Sequence, residues 1–237
     1  MKITVIIPDN NADFNEVIED AVNSFKSPDT EVNVVNINKG CDYIEGRWNI
    51  AINSPYVIEK AIEAENNGAD GVFVTDFDFC GVEAIREVVN IPVIGAFRAS
   101  AFTAMMVAET FSIITITKSV IAMQREHVKA FGVEPNFASI RYTDIPVLSL
   151  HKTDVLISKV YEESLKAIEE DGAQSIILGC SGMINVAEPV SKLLKESGKP
   201  APVIDPNGAA VNYLELLIRN KLSQSRLTYY IPMNFNK

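Results

Sequence analysis

The sequence predicts an α/β protein of two pseudosymmetric domains, each a four-stranded parallel sheet flanked by helices, with the active site in the cleft between them. Two observations carry this. Short apolar runs rich in Val and Ile alternate with segments of helical spacing along the 237 residues, the pattern of parallel strands whose crossover helices cover both faces of a sheet. One string also occurs twice. Lys60-Ala61-Ile62-Glu63 leads through Gly68-Ala69 into Gly71-Val72-Phe73-Val74-Thr75 and stops at Asp76. Lys166-Ala167-Ile168-Glu169 leads through Gly172-Ala173 into Ser175-Ile176-Ile177-Leu178-Gly179 and stops at Cys180. Aligned on the Gly-Ala pair, Asp76 and Cys180 are equivalent, each where a buried strand opens into a loop and then a helix.

Taken in order, the strand signals are 3–7, 32–35, 72–75, 93–94, 112–117, a weaker one at 138–141, 176–178 and 203–204. Helical spacing occupies 14–25, 55–67, 81–89, 100–109, 119–131, 154–170, 184–196 and 208–221. Ser54-Pro55 reads as a capping residue followed by proline at the first helical position, and Gly68, Gly132, Gly172 and Gly198 read as helix ends. No Gly/Ser/Pro-rich linker divides the halves, so the repeat sets the boundary: residues 1–97 plus 205–237 form one domain and 98–204 the other. A last helix near Asn207 would pack back on the first half.

Ligands of parallel α/β sheets bind beyond the carboxyl ends of the strands, where Asp76 and Cys180 lie. Gly179-Cys180-Ser181-Gly182 places a thiol in a glycine-flanked loop before a helix, where free N–H groups and the helix dipole favour an anion. A thiol there is expected to ionise more readily than a free cysteine, and the same N–H groups suit a carboxylate or a developing enolate. The alternative is a buried cysteine acting as a small hydrophobe. Asp76, beside Phe73, Phe77 and Phe79, would gain strength as a base through burial. Otherwise Asp76 or Asp78 caps the helix near Gly81. Cys80 is expected to face the helix interior.

Composition narrows the partners. A formal charge of −10 with 47% hydrophobic residues describes a globular chain without the clustered Lys and Arg of a nucleic-acid or anionic-membrane surface. A small-molecule substrate is expected instead. The opening Ile3–Ile7 run is too short for a signal peptide and no stretch is long enough to span a membrane, so a cytoplasmic location is expected. Cys41, Cys80 and Cys180 are scattered and odd in number, which argues against a disulfide framework. With His127 and His151 in no ligand spacing, no metal site is expected. No cofactor is expected either: no lysine pattern marks a pyridoxal site and no Gly-rich loop marks a nucleotide phosphate.

Four motifs in order resemble the aspartate/glutamate/hydantoin racemase superfamily, most closely its hydantoin and allantoin racemase branch. Ile7-Pro8-Asp9-Asn10 is similar to an Asn-Pro-Asn-Thr signature, and Ile44-Glu45-Gly46 to an Ile-Glu-Gly segment that precedes a helix. Leu178-Gly179-Cys180-Ser181-Gly182-Met183 resembles the motif around the second catalytic cysteine, and Val203-Ile204-Asp205-Pro206 a closing Val-Ile-Asp-Pro. The resemblance implies cofactor-independent racemisation by two cysteines acting as acid and base, in a protein that forms homo-oligomers. Here the chain departs from the pattern. Asp76 stands where the first catalytic cysteine belongs, Cys80 takes the place of a proline, Phe97-Arg98-Ala99 replaces Gly-Glu-Ala, and of two tandem threonines only Thr115 is kept.

Three functions follow. One is racemisation or epimerisation of an amino acid or a cyclic or carbamoyl derivative, with Cys180 and Asp76 opposed. Another is chemistry by Cys180 alone, as a proton donor in a decarboxylase or as the thiol of a cis-trans isomerase of the same superfamily. The third is ligand binding without turnover. Asn10, Asn11, Thr115, Ser181 and Gly182 near strand ends offer hydrogen bonds to a carboxylate, amide or ureido group, with turn and cap chemistry as their alternative. Phe77 adjoins the site, and Arg98 is placed to pair with Asp76 or with a substrate carboxylate, or else to be solvated at a helix start. Arg47 and Trp48 are candidates for a lid.

Overall fold

A computed structural model describes residues 1–235, so the last two residues of the expected first domain lie outside the described part. Strands β1 (Lys2–Ile7), β2 (Glu31–Asn36), β3 (Gly71–Val74) and β4 (Val93–Gly95) form one parallel sheet in the order β2-β1-β3-β4. Strands β5 (Phe111–Thr115), β6 (Phe137–Tyr142), β7 (Ser175–Leu178) and β8 (Val203–Ile204) form a second parallel sheet in the matching order β6-β5-β7-β8. The helices are α1 (Asn15–Phe25), α2 (Arg47–Asn66), α3 (Val82–Val88), α4 (Ala96–Val107), α5 (Ile121–Ala130), α6 (Thr153–Asp171), α7 (Ala187–Glu196) and α8 (Pro206–Arg219). Burial of both faces explains why β3 and β7 read as unbroken apolar runs rather than as alternating ones.

The symmetry extends to register. Val74 pairs with Ile6 and Leu178 with Ile114, and each central strand ends on the same bond: Thr75 N–H donates to Ile6 O at 2.9 Å, and Gly179 N–H to Ile114 O at 2.8 Å. Asp76 and Cys180 are each the next residue, so the two sheets present them at equivalent points.

Two helices tie the halves together. α4 leaves β4 of the first sheet yet packs against β7 of the second, while α8 leaves β8 and packs against α1, β3 and β4 of the first. The two also pack on each other. The boundary placed at 97/98 therefore falls inside a continuous helix. Apolar burial is shared across it: one cluster runs from Phe73 and Ile94 to Phe111, Ile113 and Ile177.

Three helix starts differ from the sequence reading, those of α2, α4 and α7, the last beginning at Ala187 rather than 184. α2 begins at Arg47 and runs through Pro55. Its first turns are held by buried Asn53, whose amide donates to Pro8 O at 2.8 Å and accepts from Cys41 N–H at 2.7 Å. Pro55 supplies no N–H to the carbonyl of Ala51, but Ala51 is exposed and water can serve that carbonyl. Tertiary anchoring thus overrides the local Ser-Pro signal. α4 begins at Ala96, directly after β4, with no loop between them. Gly68, Gly132, Gly172 and Gly198 all have positive φ where helices end.

Candidate active site

Asp76 is buried on the loop that joins β3 to α3. Its Oδ2 accepts the Cys80 N–H at 2.7 Å, and its carbonyl accepts the Ala96 N–H at 3.1 Å. The loop is tightly wound: Phe79 has φ of 64°, a conformation a bulky residue rarely adopts, and it is held by Phe97, His127 and Phe131 with ring centroids at 6.3, 5.2 and 5.0 Å. Cys80 turns its side chain to α2, with Sγ 3.6 Å from Ser54 Oγ and 3.7 Å from Ile50 O.

Cys180 is partly exposed, on the loop that follows β7. Side-chain amides hold the carbonyls on either side of it. Gln124 Nε2 donates to Gly179 O at 3.0 Å and Asn207 Nδ2 donates to Ser181 O at 2.8 Å. Ser181 Oγ donates to Thr75 O at 2.8 Å, joining the Cys180 loop directly to the end of β3 in the other half. Backbone approach here leaves no room: a Cβ on Gly179 would lie 2.7 Å from Ile113 Cγ2 and 3.0 Å from Thr115 Cα. Gly179→Ala is expected to cost about 1–3 kcal/mol of stability through overpacking and to impair the site along with it. Urea titration and an α-proton exchange assay on the same sample would check both.

The electrostatics reverse one expectation. Cys180 was expected to ionise readily at the start of the helix that follows it, but α7 begins only at Ala187, seven residues on. Burial pushes Cys180 up to about 12, against the Gly182 N–H, with the charges of Asp76, Asp78 and Glu45 adding to the rise. The shift favours the protonated thiol at neutral pH. Burial, with Asp78 beside it, also raises Asp76 to about 7, while the N–H groups of Cys80 and Asp78 and the nearby His127 pull the other way. Asp9 is likewise raised to about 7 by burial, against the Asn11 N–H, with Asp42 and Asp76 adding to the rise.

The residues proposed from sequence are distributed as follows. Ser181 and Gly182 belong to the Cys180 loop, where a Cβ on Gly182 would lie 3.6 Å from Cys180 Sγ. Thr115 is buried and donates to Gly179 O at 3.2 Å. Asn10 is exposed and its backbone N–H donates to Cys41 O at 3.0 Å, while the Asn11 side chain accepts from Asp13 N–H at 3.0 Å as a turn cap. Phe77 is buried edge-on to Phe97, with centroids 5.4 Å apart. The Arg98 guanidinium lies 5.0 Å over the Phe131 ring, and among the described residues Asp76 has no ion-pair partner. Glu45 reaches the second half by accepting the Val147 N–H at 2.6 Å, and Arg47 pairs with Glu126 at 2.8 Å, whereas Trp48 is exposed.

Sequence reasoning missed a polar group at the junction. Asp78 is buried with Oδ2 3.2 Å from Gln124 Nε2 and Oδ1 3.3 Å from His127 Nε2. Gln124 and His127 stand one turn apart on α5, a spacing that puts them on one face. That spacing was the available signal, but nothing local showed that the face turns toward Asp78.

Matching parallel sheets, exchanged closing helices and a carboxyl and a thiol at equivalent strand ends define a two-domain α/β molecule of the racemase type. The sequence model of the Asp/Glu/Hydantoin racemase family matches residues 3–214. The chain belongs to that family, which places it among the racemases, a class of isomerases. It is 32% identical to a hydantoin racemase of Pseudomonas sp. (strain NS671), over 98% of this chain and 92% of that protein. It superposes on allantoin racemase from Klebsiella pneumoniae with a TM-score of 0.92 at 32% identity, covering 99% of this chain and 95% of that one. Allantoin racemase from Pseudomonas fluorescens gives a TM-score of 0.92 at 28% identity, over 100% and 99% of the two chains.

Proposed function

We propose that this chain racemises a hydantoin- or allantoin-like amino-acid derivative by cofactor-independent proton transfer at the α-carbon, with Asp76 and Cys180 as opposed acid and base. The observation that supports this most is the placement of the Asp76 carboxyl and the Cys180 thiol at equivalent ends of the two central strands, on loops joined by the Ser181 Oγ bond to Thr75 O. With one enantiomer, the Asp76 carboxylate takes the α-proton and the C–H electron pair passes into an enolate. Cys180 then delivers its proton to the opposite face, leaving a protonated Asp76 and a thiolate. That exchanged pair is the one suited to the other enantiomer. Burial of Asp76 strengthens a carboxylate that would be a weak base in water.

Charge supports a neutral ring over an acidic amino acid. Asp9, Asp42, Glu45, Asp76 and Asp78 act electrostatically on one another or on Cys180. The nearby cationic side chains are engaged elsewhere, Arg98 on Phe131 and Arg47 with Glu126. A free α-carboxylate would meet repulsion, whereas a cyclic ureide offers N–H donors to these acceptors.

A single-thiol reaction is the second reading, favoured by the resting protonation of Cys180 and by the substitution of the first cysteine. One experiment separates them. Both enantiomers of several hydantoins, of allantoin, and of aspartate and glutamate are incubated with the protein in deuterated water. Inversion with deuterium at the α-carbon is expected for the ureides and not for the acidic amino acids. Deuterium exchange without inversion, unchanged by Asp76→Asn, would establish the single-thiol reading instead.

A further inference from the structure

Gln124 is fully buried, and its amide nitrogen donates twice, to Asp78 Oδ2 at 3.2 Å and to Gly179 O at 3.0 Å. The first acceptor lies two residues beyond Asp76 and the second one residue before Cys180. One atom therefore joins the two reactive loops, which come from different halves. Both partners are acceptors, so only the nitrogen can face them, and the orientation of the amide follows from the network. His127, one turn along the same helix, sets Nε2 3.3 Å from the other Asp78 oxygen. Both Asp78 oxygens thus face α5, one held by the Gln124 hydrogen bond and the other only approached by the imidazole. The arrangement carries a cost: among the described residues Gln124 Oε1 is buried without a partner, and an apolar side chain of equal length would avoid that penalty.

We infer that Gln124 is a positioning residue for proton transfer, fixing the separation of Asp76 from Cys180 through its bonds to Asp78 and Gly179. The inference rests on the reading of those two groups as opposed acid and base. Proton transfer depends steeply on the placement of donor and acceptor, and an error of about 1 Å costs roughly 100-fold. Two other bonds brace the Cys180 loop, from Asn207 to Ser181 O and from Ser181 to Thr75 O. Removing Gln124 should thus loosen the geometry without dismantling the loop.

The test compares Gln124→Met, Gln124→Glu and the double variant Asp78→Asn/Gln124→Glu with the unmodified chain, using the ureide that shows exchange in deuterated water. Gln124→Met is expected to lower kcat by about 30- to 100-fold while KM changes by less than about threefold. Gln124→Glu should lose more, because a carboxylate there faces both Asp78 and Gly179 O without a proton to donate. The double variant places a carboxamide opposite that carboxylate and should recover part of the loss. A merely structural residue would show neither the split between kcat and KM nor the recovery. Single variants with kcat within twofold of the parent, or kcat and KM declining together in step with Tm, would overturn the inference. Asp76→Asn distinguishes the two levels. If it leaves inversion intact, the two-base reading fails and the inference with it; if it abolishes inversion while Gln124→Met is silent, only the positioning role fails.

Discussion

Cys180→Ser is expected to reduce inversion and α-proton exchange by about 10²–10⁴-fold, the usual span for loss of a general acid–base group. The hydroxyl keeps the size and loop position of the thiol, but it is a far poorer acid. Folding should be nearly unaffected, since the loop is held by Gln124, Asn207 and Ser181 rather than by the sulfur. Mass spectrometry of product formed in deuterated water provides the rate, and thermal denaturation the control. Exchange that survived the substitution at parental rate would remove the thiol from the mechanism altogether.

Asp76→Asn should be comparably damaging, about 10²–10⁴-fold, for a different reason. The carboxamide oxygen can still accept the Cys80 N–H, so the loop retains its bond while the base is lost. The pH profile gives the second signature. With Asp76 raised to about 7 by burial and Asp78, kcat/KM should climb as pH passes through neutrality, and no thiol limb should appear near 8 because Cys180 is pushed up to about 12. The same shift acts on stability with a definite sign. The folded carboxyls of Asp76 and Asp9 hold their protons to about 7, against an ordinary 3.8, so folding favours the protonated form. Their contribution is fully present below about pH 4 and is lost as pH rises through 7. Tm should therefore fall between pH 5 and 7.5 by less in Asp76→Asn than in the parent, and a steeper fall would contradict the assignment.

The equivalent placement of Asp76 and Cys180 was legible because it is a property of strand ends. Buried parallel strands announce themselves as apolar runs, and a repeated string around Gly-Ala and the following run aligns Asp76 with Cys180 before any fold is known. What remained hidden depends on contacts between segments far apart in sequence. The ionisation of Cys180 is opposed first by burial and then by the charges of Asp76, Asp78 and Glu45 from the other half, and α7 starts three residues later than its apolar spacing suggests. Gln124 and His127 look like ordinary polar positions on α5 until the first half is brought against them. The Ser54-Pro55 signal was a correct local preference that lost to Asn53, whose bonds to Pro8 and Cys41 hold the preceding turns in the helix.

The exchange of α4 and α8 has a consequence for how the molecule comes apart. Each sheet is covered by a helix that the other sheet's last strand delivers, so a chain cut near residue 108, after α4, would leave each half with a bare sheet face and a helix of no use to it. The two pseudosymmetric units are thus geometrically distinct but thermodynamically one. Urea should unfold the whole chain in a single transition, reported alike by near-ultraviolet circular dichroism of the buried aromatic side chains and by backbone circular dichroism, with the steep denaturant dependence of a unit of this size. Two separated transitions would mean that the shared helices do not bind the halves into one cooperative body.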